Sequence, residues 1–155
     1  MKKVNLKTSE VLNAFNVLNA ANYKQLDDAD KIKLWKIARV MKPIAKQFED
    51  DTRDASEKFK PEGIDSQLEK ARDYEAKMKA GNTDKLPMTQ EEYEAFIHGP
   101  WAEFSQLVNK AVKEFSEKDV ELEFESLTEE AFGKLMASND WTIERVMTLG
   151  DLITE

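Results

Sequence analysis

"KDVELEFESL", residues 118–127, is the stretch on which the fold turns. Val120, Leu122 and Phe124 alternate with Glu121, Glu123 and Glu125. A period of two puts the apolar side chains on one face of a strand and the acids on the other. Almost everything around it is spaced like helix, and a lone strand leaves its backbone donors and acceptors unpaired. The only other alternating segment is "KKVNLK", residues 2–7, and it is the expected partner. Pairing would join Val4 and Leu6 to Val120, Leu122 and Phe124, and set Lys3 and Lys7 beside Glu121, Glu123 and Glu125. Opposite charges across a ladder contribute only roughly 0.2–1 kcal/mol each, which still favours a basic partner over an acidic one. Two strands are marginal alone, so the ribbon must lie on helices. Left unpaired, the strand would invite strand addition by another protein.

The helices follow from apolar spacing and caps. Thr8 or Ser9 is positioned to cap a helix running to about Ala21, with Val11, Leu12, Phe15 and Leu18 on its apolar side. Asp27 or Asp28 then caps the strongest helix of the chain, whose stripe is Ile37, Met41, Ile44, Phe48, Ala55 and Phe59. Pro43 falls opposite that stripe, so it should bend this helix around a core and leave it one element. "KPEG" (60–63) turns into a thin helix along Ile64, Leu68, Ala71, Tyr74 and Met78, ended by Gly81 and the loop "GNTDKLP". Thr89 and Glu92 spell a capping box for a short helix stopped by "HGP" (98–100). Trp101, Phe104, Val108, Ala111 and Phe115 mark the next helix. After the strand, Thr128 caps "EEAFGKLMA", and Asp140 or Thr142 caps "IERVMTLGDLI". The fold class expected is α+β and mostly α. Its parts are a bent long helix packed antiparallel to further helices and a two-stranded antiparallel ribbon of about 2–7 with 119–127, all in a single domain over 1–155.

Composition narrows the function classes. With 155 residues, 41% hydrophobic and 35% charged, the chain reads as charge-rich and globular. No apolar run is long enough to span a bilayer, no h-region follows the basic start, and there is no cysteine. Disulfides, thiolate zinc sites and cysteine nucleophiles are therefore excluded. The net charge of −8 is unevenly placed. Residues 1–48 carry ten Lys/Arg against four Asp/Glu, whereas residues 114–155 carry three against twelve. Opposed halves of this kind either attract each other within a fold or present separate faces to partners.

No catalytic constellation emerges. "DDTRD" (50–54) matches the magnesium–diphosphate pattern D-D-x-x-D, but in so acidic a chain such a match arises by chance, and one cluster does not make a two-cluster site. The pairs Glu91/Glu94 and Glu114/Glu117 resemble the paired acidic motifs of helical nucleotide pyrophosphatases; the competing reading is a solvated helix face. His98, the only histidine, ends a helix, where it acts as a cap or dipole partner. Five scattered glycines leave no phosphate loop. The most informative surface lies on the long helix. Lys31, Lys36, Arg39, Lys42 and Lys46 share one side with Ile32 and Trp35. Such a face suits phosphates and stacked bases, or a protein partner, or cover by the N-terminal helix and the acidic C-terminal segment. The overall negative charge disfavours nucleic acid.

Taken together, "VNLKTSEVLNAFNVLNA", "IARVMKPIAKQFEDDTRDASEKF", the acidic strand "VELEFESL" and the closing "IERVMTLGDLITE" resemble a loose family of small, largely uncharacterised proteins of tailed bacteriophages and prophages. The resemblance is one of layout over most of the chain, with segment 61–100 departing from it, and it supplies no catalytic residues. Together with the absence of a catalytic constellation and the segregated charge, it leads to the expectation of a non-enzymatic protein that binds other proteins, in virion assembly or as an accessory factor, in the host cytoplasm or the virion. No cofactor and no metal is expected. The expected partner is another protein, a second copy of this chain included, and neither nucleic acid nor a membrane. The partner-binding candidates are Lys31, Trp35, Lys36, Arg39, Lys42 and Lys46 on the helix, and Glu121, Glu123 and Glu125 on the strand. Two alternatives carry distinct signatures. An acidic inhibitor that mimics nucleic acid needs those glutamates in one continuous acidic surface. A magnesium-dependent helical hydrolase of nucleotides or diphosphates needs convergent carboxylates in a pocket.

Overall fold

A computed structural model describes all 155 residues. In chain order the elements are strand β1 (Lys2–Lys7), helices α1 (Thr8–Ala20), α2 (Asp28–Phe59), α3 (Ile64–Lys79), α4 (Gln90–His98) and α5 (Pro100–Ser116), strand β2 (Asp119–Phe124), and helices α6 (Glu129–Ala137) and α7 (Ile143–Ile153). The fold is mostly helical α+β, and its sheet is the two-stranded antiparallel pair β1–β2. Contacts gather into two compact units, residues 1–50 with 115–155, and residues 51–114. α2 and α5 each run through a boundary between them.

The first unit is built on the ribbon. Val4 lies opposite Leu122 and Leu6 opposite Val120, so the apolar faces join as the alternation requires. Leu122 and Phe124 are buried with Val11 and Leu18 of α1, Ile37 and Met41 of α2, Leu135 of α6 and Ile153 of α7. Fully burying a Leu or Phe side chain gains about 1.5–3 kcal/mol, against about 0–1 for an exposed ion pair. The apolar face therefore holds the ribbon in place, and the charges follow. Their pairing differs from expectation. Lys3 faces Glu123, but Lys7 faces Asp119 and bonds it at 2.6 Å, while Glu121 faces Asn5. Glu125 lies beyond the last paired residue, Phe124, and meets Lys33 of α2 at 3.4 Å. β2 is thus shorter than 119–127. Leu127 instead forms a parallel bridge to Thr154, its N–H donating to the Ile153 carbonyl at 2.8 Å.

Strand β1 passes into α1 without a loop. Neither Thr8 nor Ser9 caps this helix: Lys7 occupies the cap position, and its N–H donates to the Glu10 carboxylate at 2.7 Å. Thr8 is buried, its N–H and hydroxyl both donating to the Lys118 carbonyl, at 2.9 and 3.0 Å. That junction stitches the start of α1 to the start of β2. At the other end of the ribbon the Lys2 ammonium donates to the carbonyls of Asp151 and Thr154, each at 2.6 Å. A cation is well placed there, because the last carbonyls of a helix lack partners and carry its negative end. Asn139 adds a side-chain clasp. Its carbonyl accepts from the Asn22 N–H at 2.8 Å, while its amide donates to the Asn22 and Leu135 carbonyls at 3.1 and 2.8 Å.

α2 begins where an acid can cap it. The Asp27 carboxylate accepts from the Asp30 N–H at 2.8 Å. The helix runs unbroken through Pro43, which is exposed, while Leu34, Ile37 and Met41 are buried on the opposite side. It is one element, as the stripe required. Thr128 and Thr142 cap α6 and α7, accepting from the N–H groups of Ala131 and Arg145 at 3.1 and 3.2 Å.

The second unit has a smaller core. Ile64, Ala71 and Phe96 are buried, with Leu68, Met88, Tyr93, Ile97, Trp101 and Phe104 packed round them. Gly81 ends α3 with a left-handed backbone, φ 73°, and the Asn82 N–H returns to the Lys77 carbonyl at 3.0 Å. At α4 Thr89 accepts from the Glu92 N–H at 3.1 Å. Met78, assigned to the α3 stripe, is exposed, and α5 contributes no fully buried residue.

Candidate functional site

The exposed side of α2 is the most distinctive surface of the first unit. At 100° per residue, Lys31, Trp35, Lys42, Lys46, Arg39, Ile32 and Lys36 occupy one sector, and the buried Ile37 and Met41 lie on the other side. All seven are exposed. Trp35 is 57% exposed and Ile32 53%, so α1 does not cover the indole. The Arg39 guanidinium instead sits over the ring, 5.1 Å from its centroid. This cation–π contact joins two side chains one turn apart on the helix. None of the five basic residues forms an ion pair with the acidic C-terminal segment. The ion pair between that segment and α2 is Lys33–Glu125, on the flank of the sector. The result is an exposed apolar pair at one end of a predominantly basic helix side.

Glu121, Glu123 and Glu125 are exposed, as the alternation placed them. Their surface is mixed in sign, because Lys3 and Lys7 stand on the same side of the ribbon and Glu125 is engaged by Lys33. Sequence reading missed a second exposed apolar site in this unit. Ile143 is 78% exposed and Met147 63%, one turn apart on α7, while Leu149 and Ile153 of the same helix are buried. The signal was present in "IERVMTLGDLI", whose apolar residues spread over more of the helix than a single buried stripe accounts for. Exposed Glu144 and Asp151 share the outward sector with these two residues, and Asp140 precedes it.

The candidates for chemistry do not converge. No group of three or more His, Asp or Glu side chains comes close enough to hold a metal ion. Asp50 and Asp51 are half-buried and Asp54 is exposed; Asp50, Asp51 and Arg53 are engaged with neighbours. Glu91, Glu94, Glu114 and Glu117 are all exposed. His98 is exposed at the end of α4. An open hollow of about 400 Å³ in the second unit is lined by Gln67, Lys70, Met88, Glu92 and Phe96, without a pair of acids or a nucleophile with a base. No helix is long and apolar enough to cross a membrane. No protein family, curated protein or solved structure matches the chain.

Proposed function

We propose that this is a non-enzymatic binding protein, of the kind tailed phages and prophages encode for virion assembly or as accessory factors, and that the outward side of α2 is its docking surface. The observation that carries this reading is Trp35. A tryptophan more than half exposed, flanked by Ile32 and braced by Arg39, is the residue type that dominates protein–protein contacts. The cations on that side add steering and select against basic partners. Support for the phage origin is the sequence layout described above. The ribbon's outward side, alternating in sign, gives little support to mimicry of nucleic acid.

The test is affinity capture with the tagged full-length chain in cells carrying the phage or prophage. A stoichiometric protein retained by the wild type and lost by Trp35→Glu, with circular dichroism unchanged, is the expected result. Capture unaffected by Trp35→Glu would overturn the docking role. So would a duplex DNA or RNA bound by the wild type and released by that variant. Turnover of a nucleotide or diphosphate, abolished by Glu91→Ala or Asp50→Ala, would overturn the non-enzymatic reading.

A further inference from the structure

We infer that the partner seated on α2 is the α7 face of a second copy of this chain, in a head-to-tail contact. The inference rests on the docking role proposed for α2 and adds the identity of what docks. Single exposed apolar residues are ordinary on protein surfaces. This unit instead has two exposed pairs, each on one face of a regular helix: Ile32 with Trp35, and Ile143 with Met147. The charges round them differ. Lys31, Lys36 and Arg39 flank the first pair, with Asp28 one turn before it, and Lys42 and Lys46 continue that side along α2; Glu144 and Asp151 share the outward side of the second, with Asp140 just before that helix and Arg145 its one cation. The two faces are opposite in prevailing sign, and each carries an exposed apolar pair. A flexible methionine against an indole edge is itself a favourable contact. Both faces belong to the same compact unit and both are open to solvent, so neither covers the other within a chain.

If both faces of one chain engage the same neighbour, the pair closes as a two-fold dimer; otherwise the contact repeats from chain to chain into a ring or an open filament. Its electrostatic part must weaken as salt shortens the screening length. Within the unit the basic start and acidic end of the sequence meet at Lys33–Glu125 and Lys7–Asp119, which leaves the α2 and α7 sides open to a second chain.

The experiment is sedimentation of the full chain across concentration, at low and high salt. The wild type is expected to associate beyond a single chain of 17.8 kDa as concentration rises, and to dissociate at high salt. Trp35→Glu removes one face and Met147→Lys the other, and each variant alone is expected to be monomeric. Mixed in equal amounts they should form a two-chain species and stop there, because one intact face of each kind remains. A monomeric wild type at low salt would overturn the inference. So would a mixture that fails to pair, or an assembly that either substitution leaves intact. If the wild type is monomeric yet Trp35→Glu loses a captured protein, the self-contact falls and the docking role of α2 stands. If Trp35→Glu changes neither result, both fall.

Discussion

Tyr93 stacks on Tyr74 with ring centroids 4.7 Å apart and donates its hydroxyl to Glu75. That hydrogen bond to a carboxylate raises the Tyr93 pKa above its usual 10.0, with desolvation adding to it; burial alone raises Tyr23. Both phenols are therefore held neutral in the fold, while the unfolded chain ionises near the ordinary value. Their contribution to stability is complete below pH 10 and is lost as pH climbs through the raised folded values. The urea midpoint should fall on the alkaline side of pH 10, and less steeply in Tyr93→Phe; a pH dependence identical in the two proteins would contradict the assignment. Residue-level detail of this kind was the least legible in the sequence. Alternation in "KKVNLK" and "KDVELEFESL" allows any even shift between the strands, so it named the partner strand without deciding whether Lys7 would meet a glutamate or Asp119. Trp35 was ambiguous for a related reason. Its position off the buried stripe was readable, but whether another element covered it depended on packing.

Two glycines, Gly133 on α6 and Gly150 on α7, have opposite surroundings. A Cβ at Gly150 would lie 3.0 Å from the Phe132 ring, whereas one at Gly133 would meet nothing within 4 Å. Gly150→Ala should therefore be net destabilising, because an overpacking cost of about 1–3 kcal/mol against the buried Phe132 ring outweighs a helix-propensity gain of roughly 0.5–1 kcal/mol. Gly133→Ala, free of any clash, should stabilise it by roughly 0.5–1 kcal/mol through helix propensity. Denaturant midpoints of the two variants would show the opposite signs directly, and a stabilising Gly150→Ala would disprove the close seating. The sequence disclosed both elements and the Thr128 cap, and narrowed the cap of α7 to Asp140 or Thr142, since a cap is a local pattern. It could not distinguish the glycines, because a ring approaching from a neighbouring helix leaves no local trace. The same limit hid the outward face of α7, where the buried and exposed apolar residues differ only in what packs on them.

The two units differ in how much they bury. The first has fifteen residues in its buried cluster and the second three. Regions with few buried apolar contacts open at lower free energy. Amides of α3 and α4 should thus exchange with deuterium well before those of α1, α6 and the first half of α2, as mass spectrometry of peptic fragments would resolve. Equal protection throughout would mean that the two open together. At this scale the class of the fold was fully legible, because the ribbon and the helical stripes are periodic signals carried by many residues at once. The grouping of residues 51–114 into their own unit was not. α2 and α5 cross its limits without a break in their apolar spacing, and no proline- or glycine-rich linker marks either crossing.

The pairing of Lys7 with Asp119 spans 112 residues. During synthesis the first strand emerges from the ribosome long before its mate exists. At roughly 5–20 residues per second the interval is on the order of ten seconds. Throughout it, Val4 and Leu6 sit on a strand with both edges bare. Lys2, Lys3 and Lys7 put three like charges on that six-residue strand, which repel a second nascent copy pairing in the same way. The lysines that later clasp α7 and Asp119 thus act first as gatekeepers, keeping the strand single until the glutamate-rich one arrives.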